Sequence, residues 1–194
     1  MTTVRLALAQ EPAADELLSR DPFALLVGML LDQQFPMERA FAGPALIAER
    51  LGVDRLDPAQ LASQDEQAFV ALMTGPPAVH RYPGSMAGRV VALAQHIVEH
   101  YDGDAAALWS GAADGAELLA RLKALPGFGQ QKASIFLALL GKQLGVRPAG
   151  WERAAGDYAL DGYRSVADVT DATSLQKVRD HKRAVKEAAK AARR

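Results

Sequence analysis

The stretch Leu125-Pro126-Gly127-Phe128-Gly129-Gln130-Gln131-Lys132 constrains this chain more than any other. It follows Leu118, Leu119 and Leu122, which are spaced for one face of a helix, and it opens directly into the apolar run 133–140. The turn between these two helical patterns is too short and too rich in glycine for an ordinary linker. A backbone that reverses at Gly127 and Gly129 needs dihedrals that a side chain disfavours, and it leaves bare N–H groups at the start of the second helix. Those groups, with the positive end of the helix dipole, suit a phosphate.

The rest of the chain reads as helical too. Of its 194 residues 49% are hydrophobic but only 6% aromatic, a balance that favours packed helices over a sheet and leaves ample apolar surface for a core. Asp21-Pro22 is a helix start with the acid as cap, and Phe23 to Leu31 is a buried helix broken off at Asp32-Gln33-Gln34. Those three polar residues emerge either into a cleft or into a solvated loop. A helix runs from Pro36 to Leu51 and stops at Gly52, Asp57-Pro58 starts a short one, and Ser63 to Glu66 reads as a capping box for the next. Beyond the Pro-rich break at 74–77 a long helix carries Val90, Leu93, Ala94, Ile97, Val98 and Tyr101 on one face and ends at Gly103. Asp114 to Glu117 caps the first hairpin helix, and the second spans 130–144. The alternation Val4 to Leu8 suggests a short strand, and 146–173 suggests a Gly/Pro-rich loop region, packed over 145–164 and with one helical turn. Residues 174–194 read as a basic helix, and the whole chain as one compact unit.

Composition narrows the chemistry. The chain has no cysteine, which excludes disulfides and any cysteine-ligated iron-sulfur cluster. Of the four histidines only His96 and His100 have i,i+4 spacing, and a solvated helix face explains them better than a metal site. No start resembles a leader and no apolar run approaches a membrane span, so a soluble, cytoplasmic protein is expected, with no membrane partner. A formal net charge of -1 gives no general attraction to nucleic acid, so any such contact must be local. The basic tail is one local positive field, though a solvated terminal helix is the plainer reading.

Leu125-Pro126-Gly127-Phe128-Gly129 and its flanking helices resemble the helix-hairpin-helix superfamily of base-excision DNA glycosylases, in its endonuclease III-like branch. The resemblance covers residues 20–145: Asp21 to Gln34 is similar to the family's early helix, which ends in a glutamine near DNA, and Tyr82 to Gly103 to the long helix before the hairpin. It implies an all-α, two-lobed fold with a central cleft, and duplex DNA, damaged or mispaired, gripped by the hairpin while the target nucleotide is turned out between the lobes. The residues it assigns to DNA are Leu125, Gly127, Phe128, Gly129, Gln130, Gln131, Lys132 and Gln34. It further implies a possible monovalent cation on the backbone of Leu125, Gly127 and Gly129, with no metal held by side chains and no other cofactor.

Two positions depart from the family pattern. Gln131 stands where members that also cut the backbone carry a Schiff-base lysine, and Lys132, the catalytic amine candidate that remains, follows one residue later, about 100° further round a helix. A monofunctional enzyme is therefore the expectation. The family's catalytic acid, counted on from Gln131, falls on Ala149, beside Gly150. Among the later acids Glu152, Asp157 and Asp161, the first choice for that role is Asp157, and Asp32 is an independent candidate. The four-cysteine cluster of the endonuclease branch is replaced by the basic tail. Two other readings stay open: a catalytically silent DNA-binding module on the same scaffold, and a helical protein-interaction domain whose hairpin is only a tight turn.

Overall fold

The computed structural model describes residues 4–193, and among them there are helices and no strand. The first set of helices is built round α2 (Pro22–Leu31), whose residues from Phe23 to Leu31 are all buried. Asp21 fixes its start. One carboxylate oxygen accepts from the N–H groups of Phe23 and Ala24, and the other accepts from Leu56 at 2.8 Å. A single buried acid thus caps α2 and ties down the loop ahead of α4. Around α2 lie α1 (Pro12–Arg20), α3 (Met37–Leu51), α4 (Pro58–Ala62), α5 (Glu66–Thr74) and α6 (Pro83–Tyr101), with α1, α3 and α6 in direct contact with α2.

The second set comprises α7 (Ala107–Ser110), α8 (Gly115–Ala124), α9 (Gln130–Gln143) and α10 (Trp151–Ala155), continued by 3-10 turns at Gly156–Ala159 and Val166–Asp168. Its centre is α9, where every residue from Phe136 to Gly141 is buried. The two sets share one continuous apolar core that includes Leu30, Leu93, Leu122 and Phe136. The chain ends in α11 (Ala172–Ala191), which Asp171 and Ser174 cap reciprocally. Only the first half of α11 is seated, through Leu175 and Val178, and Val185 remains 55% exposed.

Several sequence expectations need correcting. Residues 4–7 form no strand: this extended segment buries Leu6 by lying along α1, and the Leu6 N–H donates to Ser19 Oγ at 2.9 Å rather than to a partner strand. Asp65, not Ser63, caps α5, because its carboxylate reaches the Ala68 N–H. Segment 146–173 is packed, as expected, but holds more than one helical turn: α10 and two 3-10 turns. Trp151 packs its ring onto Gly141 and its backbone onto Gly115, where a β-carbon would stand 2.3 Å and 2.5 Å from them. Lys142 further holds the segment through a 2.6 Å ion pair with the largely buried Asp168. The basic helix begins at Ala172 rather than at 174, and its expected last residue, Arg194, lies outside the described residues, as do 1–3. No described helix is long and apolar enough to cross a membrane.

Candidate functional site

The hairpin turn is built from the inside out. Leu125 and Phe128 are buried, at 2% and 5% exposure, and Phe128 meets Phe136 edge to face, so these two side chains anchor the turn and only their backbone is left for a ligand. Gly127 has φ +81°, and a β-carbon there would stand 2.4 Å from Leu30 Cδ1 on α2. The residue thus needs glycine twice, for its dihedral and for its contact. Gly129 differs. Its φ of -85° suits any residue and the space beside it is open. It precedes the first turn of α9 without capping it by a side chain, and Gln130 and Gln131 are exposed, so the first N–H groups of a 14-residue helix face outward.

The same turn is locked to α2 by Lys132. Its ammonium donates to the carbonyls of Met29 at 2.7 Å, Leu30 at 3.1 Å and Asp32 at 3.4 Å, which uses its three donors on the negative end of the α2 dipole. Burial pushes the amine down to about 8, against the pull of Asp32. As a nucleophile it would have to let go of those carbonyls. Asp32 itself ends α2, and burial pushes its carboxyl up, as does Glu38, while Lys182 and Lys132 pull it down.

Residues remote in sequence complete this corner. Arg179 of α11 pairs with Glu38 of α3 at 2.5 Å, and the second Glu38 oxygen is buried without a partner among the described residues. On the other side, Gln33 donates to the Leu30 carbonyl at 3.0 Å and accepts from Arg89 at 2.9 Å. Its own carbonyl faces Nε2 of the buried His80, whose Nδ1 accepts from the Tyr82 N–H. That pattern makes Nε2 the protonated nitrogen, and burial holds the imidazole below its usual value. Gln34 adopts the left-handed φ of +51° and is exposed beside Phe35, Arg39 and Arg81.

Asp157 sits elsewhere, exposed on a groove of about 710 Å³ that it shares with Gln131, whose amide donates to the Tyr158 hydroxyl at 3.0 Å. The sequence preference for Asp157 over Asp32 is therefore not matched by enclosure: Asp32 is beside Lys132 at the joint between the two helix sets, and Asp157 faces solvent. Ala149 lies at the foot of α8, its carbonyl accepting from Gly115 N–H at 2.8 Å, so the counted acid position is spent on a packing joint. Glu152 and Asp161 are exposed.

No family model, no curated protein and no solved structure matches the chain. The site therefore has to be read from its own chemistry.

For a cation at the hairpin, the Leu125 carbonyl already accepts from Phe128 at 3.0 Å and the Gly129 carbonyl from Ala133 at 3.0 Å. Each would have to offer its second lone pair. No group of three or more histidine, aspartate or glutamate side chains among the described residues is disposed to hold a metal. The pair His96 and His100, with ring centroids 4.3 Å apart, has Glu99 as its neighbouring acid, 3.9 Å from His100. Sequence reasoning missed Glu38 and Arg89, and placed Arg179 and Lys182 only in the basic tail. They reach the corner from three helices, α3, α6 and α11, so no local pattern signals it.

Proposed function

We propose that the chain is a monofunctional DNA N-glycosylase of the helix-hairpin-helix type, acting on damaged or mispaired bases in duplex DNA, with the joint between the two helix sets as its cleft. The observation that carries this reading is the Lys132 clamp. It sets an uncapped helix N-terminus and the carboxylate of Asp32 on one rigid corner, a phosphate grip beside an acid. The hairpin N–H groups of Gln130 and Gln131 would hold the strand without reading its bases. Asp32, whose carboxyl burial pushes up while Lys182 and Lys132 pull it back toward the anion, would in its charged form stabilise the positive charge that develops on the sugar as the glycosidic bond breaks. Gln34 and the arginines near it would line the path of the extruded nucleotide. With Gln131 turned to Tyr158 and the Lys132 donors engaged, neither of these hairpin residues offers a free amine to the sugar, which supports a single activity without strand cleavage.

Base release from a panel of duplexes, each carrying one lesion or mismatch, tests this directly. Release of one base class, lost in Asp32→Asn while DNA binding persists, is the expected outcome. Binding without release from any duplex would make the chain a silent DNA-binding module.

A further inference from the structure

We propose that the groove between α11 and the turn at Gly156–Ala159 binds the phosphodiester backbone of the DNA strand held at the hairpin, with α11 as its outer wall. This rests on the DNA-binding reading above and extends it to a surface that the hairpin does not include. The groove holds about 710 Å³ and joins the hairpin through Gln131. Its rim carries Arg164, His181, Lys182 and Lys186 against Asp157 as the single acid of its lining, and Ile135, Ala155 and Val185 supply an apolar floor. A strand fits that division, with phosphates on the cations and sugars along the floor.

The wall is anchored at one end and free at the other. Leu175 and Val178 seat the first half of α11, Arg179 pairs with Glu38, and Lys177 donates to the Tyr163 hydroxyl at 3.3 Å. From Lys182 to Ala191 every residue is exposed. Among the described residues neither Lys182 nor Lys186 has an acid within ion-pairing distance. Cations on α11, with Arg164 opposite and Asp157 as the single acid of the lining, select a polyanion. In a chain of net charge -1 this local excess is the part suited to a phosphate track.

The test is the salt dependence of binding of the full chain to a short labelled DNA duplex, in wild type, Lys182→Ala/Lys186→Ala, Gly129→Asp and the outlying control Arg55→Ala. Matched thermal melts check folding. In the double variant, affinity is expected to fall about tenfold and the slope of log K against log salt to flatten by about two, as for two lost phosphate contacts. Wild-type affinity and slope in the double variant, with binding still weakened by Gly129→Asp, would overturn the groove and leave the hairpin reading standing. Loss in the double variant alone would support the groove and remove the hairpin, and no loss in either would overturn both. A polyglutamate peptide that binds more tightly than DNA, and only with both lysines present, would overturn the proposal in favour of an acidic protein partner.

Discussion

Lys132 Nζ donates to the Met29 carbonyl across 2.7 Å, and so the first turn of α9 is tied to the last turn of α2. This contact spans the two helix sets and stands next to Asp32, the acid that ends the buried helix α2.

Replacing Lys132 by methionine is expected to destabilise the fold by about 1–3 kcal/mol, because three carbonyls lose a charged donor. The loss should depend on pH. Burial lowers the folded amine from 10.5 to about 8, so between those values the unfolded chain holds a proton that the folded chain has released. The lysine's contribution to stability then rises with pH across that window and is flat below it. Urea midpoints of wild type and variant from pH 7 to 10 check this: wild type should gain on Lys132→Met above pH 8, by at most about 1.4 kcal/mol per pH unit.

Asp32→Asn is expected to do opposite things to stability and activity. The folded carboxyl titrates above its ordinary value, so in that interval the folded state binds the proton and the stabilising contribution is lost as pH rises through the folded value. An asparagine avoids the cost of burying charge at neutral pH. The variant should therefore unfold at higher urea than wild type at pH 7, with the gain vanishing in acid, while base release falls about 10²–10³-fold.

The two hairpin glycines should separate cleanly. Gly127→Ala meets a left-handed dihedral and Leu30 together, and a loss of about 1–3 kcal/mol is expected from strain and overpacking. Gly129→Ala should stay within about 0.5 kcal/mol of wild type, as for a surface position. Gly129→Asp should melt like wild type yet weaken DNA binding by placing an anion at the outward N–H groups. Thermal melts and fluorescence anisotropy on the same preparations check all three.

Trp151→Ala is expected to cost about 3–5 kcal/mol, since its ring fills the space over Gly141 and a cavity would remain. Asp157→Asn, on an exposed turn, should leave base release within about twofold of wild type, in contrast with Asp32→Asn. Paired kinetics of the two acid variants decide which carboxylate serves the sugar.

The helices were legible because their signals are local. Asp21-Pro22, Asp57-Pro58 and Gly52 cap or stop helices through contacts within a few residues, and the sequence shows both partners. The strand expected at residues 4–8 failed for the complementary reason: alternation reports which side chains are buried, and here they are buried against a helix. The hairpin turn was visible, but the partner of Lys132 was not. Met29 lies 103 residues away, and nothing near either residue indicates the other. The same holds for Arg179 and Glu38, which meet from α11 and α3, far apart in the chain. Asp157 looked attractive from its place in the chain, and only burial distinguishes it from Asp32.

Gly129, with open space beside it and an undemanding backbone, has a practical use in a chain that contains no cysteine. A cysteine introduced there would be the sole thiol, so one fluorophore could be attached at the mouth of the hairpin without protecting any other position. Its emission would report arrival of a strand at that turn in real time, independently of whether any bond in the strand is broken.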